Sequence, residues 1–358
     1  MMTAVFNNTQ CVEAAETVGH FLYLAPSALI TVSSAFTFFV FMAIYAKFAL
    51  RISYHINAKI LILLNMFLHL LFSFATLVNY TVLFVNAIVA KEACDFFFAT
   101  SSCSVLRRIF LFCTMLNSLT QAALVMERMY ATRNINTYEY AGPKLGYYLA
   151  STCVIASISI VTYVTYPEIS NEPVTNCFAF SSTTIGDRVY HMFAVQLFLA
   201  IITIIAYKRH LKYLKEVHQE YDGHLSQRYQ SLQTNLVLKY QGRLIYISSA
   251  LISLYIGFSS TGYLIRPNFT LQHYKQFAAV IFIMPHLSFF SMLQYYYIFY
   301  WALDAKKKRM TDTMYSPLNN RKDYMTRLRE HWTIDYKCLE SGSASPRSVK
   351  IGFGLTDY

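Results

Sequence analysis

Along the chain, apolar positions gather into seven long runs that contain no Asp, Glu, Lys or Arg: 21–46, 60–90, 109–126, 145–166, 189–207, 244–265 and 277–303. The shortest holds 18 residues and the longest 31. A helix crossing the hydrocarbon core of a bilayer needs about 20 mostly apolar residues. Only helices and closed barrels satisfy their backbone inside lipid. These runs are too long for barrel strands and do not alternate. The pattern predicts an all-α membrane protein, a seven-transmembrane helix bundle. The 60–90 run exceeds what a span needs, so its helix is expected to end near 80–84, and the third span is expected to begin near 104. The chain then divides into an N-tail (1–20), a seven-helix domain (21–303) and a C-terminal tail (304–358).

Composition agrees. The 358 residues are 55% hydrophobic and 14% charged, against about 25% charged in a soluble domain. A soluble helical protein would need charges on one face of each helix, and these runs have none. The net charge of +11 raises nucleic acid as a partner, but its distribution points to lipid. With the N-terminus outside, twenty-four Lys and Arg fall on inner segments and six on outer ones. Inner flanks of membrane helices collect these residues. The expected topology is N-terminus outside and C-terminus cytoplasmic, with no nucleic acid bound. The first run, 26 residues long and without basic residues before it, is too long for a signal-peptide core, so it is read as a span that also targets the chain.

That topology sorts the seven cysteines. Cys11, Cys94, Cys103 and Cys177 lie outside, where disulfides persist. Cys113 and Cys153 lie within spans, and Cys338 is cytoplasmic. Four outer cysteines allow three pairings. Cys103 with Cys177 is favoured, tying the top of the third helix to the middle of the second outer loop. Cys11 with Cys94 then forms the second bridge; free thiols are the alternative for each pair. The sequons at Asn7 and Asn268 fall outside and are glycosylation candidates, whereas Asn79 falls in the second run. The N-tail is too short to form a ligand-binding domain alone. In the second outer loop, Pro167, Pro173 and a Ser/Thr run argue against regular structure. The basic third inner loop, 208–243, predicts that the fifth and sixth helices extend past the membrane. In the tail, Tyr324, Leu328 and Trp332 fit a short amphipathic helix, and residues 339–358 have a disordered composition.

The sharpest local feature is Glu127-Arg128-Met129-Tyr130, where the third helix leaves the apolar run. An acid–base pair there can hold Arg128 in one state and release it in another. Cys103 lies 25 residues earlier, about 37 Å along a helix, so a bridge and a charged switch would mark opposite ends of one span.

A Cys atop the third helix, a partner Cys in the second outer loop and an acidic-Arg-x-Tyr string below resemble rhodopsin-like G protein-coupled receptors. More closely, Met126-Glu127-Arg128-Met129-Tyr130-Ala131-Thr132-Arg133, followed by Thr137-Tyr138-Glu139, resembles the signature of nematode serpentine chemoreceptors of the Sra superfamily. The Srab class is nearest and Sre a close rival. His55-Ile56-Asn57-Ala58-Lys59-Ile60 is similar to that group's pattern too. The resemblance covers about residues 20–305. It implies a rhodopsin-like seven-helix architecture, a plasma-membrane or sensory-cilium location, a chemosensory role in which a ligand is detected, and a heterotrimeric G protein as partner. Glu127, Arg128 and Tyr130 would then carry coupling, and no metal or cofactor is expected. The chain departs from the wider class at Met284-Pro285-His286-Leu287-Ser288, where an Asn-Pro-x-x-Tyr string would stand, and its sixth helix lacks proline. The switch machinery of that class therefore does not transfer there.

Polar residues inside spans are costly and often functional. Asn65, His69 and Ser73 share one face of the second helix; Thr114, Asn117 and Gln121 form a stripe on the third. Interhelical hydrogen bonding explains many such residues without a ligand. Gln121, His191, Gln196 and His286 are the pocket candidates. With no Asp or Glu in any run, a buried ligand cation would lack a counter-ion. The expected ligand is a small neutral or anionic molecule in an aromatic-lined pocket. A transporter or ligand-gated channel subunit is the alternative function, but the spans lack the carboxylates or broken helices that transporters place at mid-membrane. No metal pair or catalytic dyad suggests an enzyme.

Overall fold

A computed structural model describes residues 8–48, 54–138, 141–166, 173–174, 176–178, 186–220, 242, 245–261 and 270–315. The chain divides into two compact units, Met1–Tyr300 and Trp301–Tyr358. In the second, the described part is the end of one helix.

The described residues are almost all helical. In chain order they form α1 (Asn8–Gly19), α2 (Phe21–Phe48), α3 (Ile56–Val89), α4 (Thr100–Arg133), α5 (Ile135–Tyr138), α6 (Lys144–Thr165), α7 (Gly186–Glu220), α8 (Ile245–Thr261), α9 (Leu271–Ile281) and α10 (Met284–Tyr315). Six spans are long and apolar enough to cross a membrane: α2, α3, α4, α6, α7, and α9 with α10 together. The shorter apolar helix α8 occupies the remaining run. Each of the seven runs thus holds a helix, and the all-helical bundle expected from them stands.

Several helix boundaries differ from expectation. Helix α3 does not stop near 80–84 but runs to Val89, because no Gly or Pro interrupts it and the Ala90 N–H closes its last turn on the Asn86 carbonyl. Helix α4 starts at Thr100 and takes in Arg107 and Arg108. Helix α7 runs on to Glu220, past the apolar run, as the basic loop suggested. The corresponding extension of the sixth helix, the tail helix and Cys338 lie outside the described residues.

The 277–303 run is the largest departure. It is not one helix but two. Helix α9 starts at Leu271, where the Thr270 hydroxyl accepts the His273 N–H at 3.3 Å, and ends at Ile281. Phe282 then adopts φ −76° and ψ 73°, the inverse γ-turn, and Ile283 N–H bonds back to the Ile281 carbonyl at 2.8 Å. Helix α10 begins at Met284. Pro285, having no N–H, fits its first turn without loss, whereas inside a continuous helix it would remove a hydrogen bond.

Helix α4 is the centre of the bundle. Its apolar window is 72% buried, whereas the other spans range from 28% to 50%, and it packs against α3, α6 and α7. The main core gathers around it, with Phe110, Leu111, Met115, Leu116 and Ala123 all buried. The spans' outward faces stay apolar and exposed, with Phe39, Phe67, Ile155 and Phe198 among them, as a lipid-facing surface requires.

At the Cys103 end of α4, the N-tail and loops are tied down. Disulfides join Cys11 to Cys94 and Cys103 to Cys177. Two short strands, β1 (Phe98–Ala99) and β2 (Pro173–Val174), pair antiparallel. The second loop was expected to lack regular structure because of its prolines; a proline is nevertheless tolerated as the first residue of an edge strand, and Pro173 takes that place.

Candidate functional site

Two polar constellations stand out in this bundle: one at the Arg128 end of α4 and one in its middle.

At the Arg128 end, Glu127 is wholly buried and Arg128 is 5% exposed. Their side chains form a bidentate ion pair: Arg128 Nε donates to Glu127 Oε2 at 2.5 Å and Nη2 to Oε1 at 2.7 Å. A buried charge is tolerable only when paired and hydrogen-bonded. The Tyr138 hydroxyl, carried by the single turn of α5, supplies the further bond, donating to Glu127 Oε1. Burial raises the Tyr138 phenol above its ordinary value, and the Glu127 charge adds to the effect, so the hydroxyl keeps its proton and remains a donor. The His55 ring lies against the Tyr138 ring at 4.1 Å. Burial chiefly lowers the His55 pKa, which suits a neutral imidazole whose Nδ1 accepts the Asn57 N–H at 3.4 Å. Tyr130, by contrast, is half exposed and touches the cluster through ring contact with Tyr138 at 6.2 Å.

Asn57 fastens this cluster to two more helices. Its Nδ2 donates to the Tyr138 hydroxyl at 3.4 Å, and its Oδ1 accepts the Gly146 N–H at 2.9 Å. The first turn of a helix has amides without intrahelical partners, so Asn57 caps α6 from another helix. Closeness here requires glycine: a Cβ on Gly146 would fall 2.8 Å from the Asn57 Cα and 2.9 Å from its carbonyl oxygen, both backbone atoms with nowhere to go. Gly146→Ala is therefore expected to push α6 from α3 and cost about 1–3 kcal/mol, read as a lower thermal midpoint of the purified protein. An unchanged midpoint would show that the approach is looser than this.

In the middle, side chains from α3, α4 and α10 form a hydrogen-bonded chain. Asn65 Nδ2 donates to Asn117 Oδ1 at 2.9 Å and Thr120 Oγ1 at 2.8 Å. The Tyr295 hydroxyl donates to Asn65 Oδ1 at 2.9 Å, and Gln121 Nε2 to Asn117 Oδ1 at 3.3 Å. Just above lies a cavity with polar walls of His69, Thr114, Asn117 and Ser288. Its apolar walls are Leu68, Phe72, Cys113, Ile252, Met284 and Leu287. Its free volume of about 20 Å³ suits one water molecule rather than a drug-sized ligand. His69 Nδ1 meets the Ser288 hydroxyl at 3.3 Å, whereas among the described residues His69 Nε2 has no hydrogen-bond partner.

Toward the Cys103 end, aromatic rings close over the cavity. Phe178, next to the bridged Cys177, meets Phe110 at 5.2 Å and Phe282 at 5.8 Å, and Phe110 meets Phe282 at 5.6 Å. Asn79 holds the loop: its Nδ2 donates to Asn176 Oδ1 at 3.0 Å and its Oδ1 accepts the Cys177 N–H at 3.3 Å. Arg107, counted from sequence among the outer charges, is instead fully buried, one helical turn below Cys103, and its Nε donates to the Cys177 carbonyl at 3.1 Å.

The pocket candidates scatter. Gln121 belongs to the central chain. Gln196 is buried, with neither amide atom partnered among the described residues. His286 is half-buried and is not among the cavity walls. His191 is exposed, because the buried stripe of α7 runs through Val189, Met192, Phe193, Gln196 and Ala200 and leaves it on the outward face. The sequons Asn7 and Asn268 lie outside the described residues. Sequence reasoning gave no role to Tyr138, Asn57 or Gly146, although the first two stood in the quoted strings.

The profile of the serpentine type 7TM GPCR receptor class ab chemoreceptors matches residues 8–333. Serpentine receptor class alpha-39 of Caenorhabditis elegans is 32% identical over 283 residues, covering 77% of this chain and 75% of that protein.

Proposed function

The chain belongs to the family of serpentine class ab chemoreceptors, and from that premise we propose that it senses a small molecule within its helices and passes occupancy to a heterotrimeric G protein. The N-terminus faces outward and the C-terminus the cytosol. The excess of Lys and Arg on the loops that join the Arg128 end supports this orientation.

The observation that carries the coupling role is the sealed Glu127–Arg128–Tyr138 cluster. In the resting arrangement Arg128 is spent on Glu127, and α5 closes over the pair. A ligand that binds better to a second packing of the helices shifts the population toward it. When the cytoplasmic ends of α4, α7 and α8 part, Arg128 and the basic loop between α7 and α8 become a cationic surface for the G protein. Tyr130, already half exposed, adds to that surface.

Tyr138→Phe tests this directly. The variant keeps the ring against His55 but deletes the hydroxyl that donates to Glu127. A hydrogen bond to a charged group is worth about 1.5–3 kcal/mol, so the resting state weakens and ligand-free nucleotide exchange should rise about tenfold or more. The assay is GTP-analogue uptake by a heterotrimer reconstituted with the receptor in vesicles. Basal exchange equal to wild type at equal receptor density would remove the lock from the mechanism. A tag after Tyr358 that antibody reached on intact cells would refute the orientation.

A further inference from the structure

We propose that the cavity below Phe178 and Phe282 is the recognition floor for the ligand, and that it takes a small neutral molecule with one hydrogen-bonding group, read by His69 and Ser288. This rests on the receptor reading above and narrows the ligand class within it.

The argument begins with an unmet demand. His69 is 4% exposed, yet its Nε2 has no hydrogen-bond partner among the described residues. Ser73 and Ser291, one turn from His69 and from Ser288 on the same helix faces, also have buried hydroxyls without partners among the described residues. A buried polar atom left without a hydrogen bond costs free energy. Of the three, His69 lines the cavity, and at its Nε2 an incoming polar atom gains a bond and breaks none. His69 already holds Ser288 through Nδ1, which fixes the ring and presents Nε2.

Charge selects the class. None of the cavity walls is Asp, Glu, Lys or Arg. An ammonium there would find no carboxylate, and a carboxylate would find no cation. Either ion would meet the desolvation cost of a buried charge without the attraction that offsets it. The remaining walls, Leu68, Phe72, Ile252 and Leu287 among them, suit a hydrocarbon body. A neutral head and an apolar body satisfy both halves of the lining.

Size is set by a movable wall. The resting cavity suits a water, so the ligand must widen it. Met284, one of its walls, is the first residue of α10, directly after the inverse γ-turn at Phe282. At that break no helical hydrogen bond has to be given up for α10 to shift against α9, and methionine adapts its shape readily. Widening the cavity therefore moves α10, which carries Tyr295 and its bond to Asn65.

The test uses four probes with one ring and different heads: cyclohexanol, cyclohexane, cyclohexylammonium and cyclohexanecarboxylate, each at millimolar concentration with the purified full-length receptor. Cyclohexanol is expected to raise the unfolding midpoint by about 3 °C, and the other three to leave it in place. His69→Phe, which keeps the volume and removes both nitrogens, should abolish the cyclohexanol shift. Where that variant does not fold, Ser288→Ala should halve the shift or more. A charged probe that matches cyclohexanol, a shift that survives in both variants, or no shift with any probe (a water-only cavity) would each overturn the proposal. The basal exchange of Tyr138→Phe needs no ligand, so failure of this site and failure of the receptor reading are told apart.

Discussion

Arg128→Ala is expected to reach the cell surface and to lose receptor-promoted nucleotide exchange, by at least about tenfold and down to the receptor-free rate. Two effects combine. Removing the guanidinium deletes the charge offered to the G protein, and truncating one member of a desolvated pair costs about 2–5 kcal/mol of coupling. It also leaves Glu127, wholly buried, without its cation. Breaking a buried pair from one side costs about 3–5 kcal/mol in a rigid interior, but here the Tyr138 hydroxyl still donates to Glu127 and the carboxyl can take up a proton, so the helices should stay assembled. Arg128→Lys should restore part of the exchange, since it returns a cation, and should raise its ligand-free level as Tyr138→Phe does, since one ammonium cannot reproduce the two-pronged contact with Glu127 made at 2.5 and 2.7 Å. The measurement is exchange per surface receptor, with surface density counted by an outer tag. Wild-type exchange from Arg128→Ala would end the assignment of this residue as the coupling cation.

Cys103→Ser should produce the largest loss of stability. The Cys103–Cys177 bridge closes a separation of 74 residues, and removing a bridge of this span costs about 2–4 kcal/mol by loop-closure entropy. More is lost than entropy. The Cys177 carbonyl is the acceptor for buried Arg107 Nε, and the Cys177 N–H is bonded to Asn79. Phe178, the next residue, completes the aromatic group over the cavity. A freed loop loosens all three. The purified variant should unfold at a lower temperature, and reductant should lower the wild-type midpoint toward it without lowering that of the variant to the same extent. A reductant-insensitive wild type would mean that the bridge contributes little in the native protein.

Much of this fold is written in local pattern. Charge-free runs locate all seven span helices, because lipid punishes a charge wherever it falls. The same rule misplaces ends. Lys275 hid most of α9, since a charged side chain near a helix end is allowed in a folded bundle, whereas the start of α4, expected near 104 despite Arg107 and Arg108, lies only four residues earlier, at Thr100. The break at Phe282 had a visible cue in Pro285, whose meaning depends on whether it sits in the first turn of a helix or inside one. The cluster at Glu127 was half legible. The pair itself is adjacent in sequence, but Tyr138 reaches it through a one-turn helix, and Asn57 and Gly146 meet across 89 positions. No periodicity announces such a meeting. The exposed position of His191 was hidden for a related reason: a polar residue inside a span does not declare which way it points until the helix's buried stripe is fixed by its neighbours.

The order of the bridges along the chain has a consequence for biogenesis. Cys11 joins Cys94, and Cys103 joins Cys177, so the two closures follow one another without crossing. Cys113 and Cys153, which emerge between the second pair, are buried as free thiols within helices. In the proposed orientation, each lumenal thiol therefore meets its mate as the next one delivered during translocation. Oxidation in order of emergence already yields the native connectivity, and a shuffling catalyst has nothing to repair.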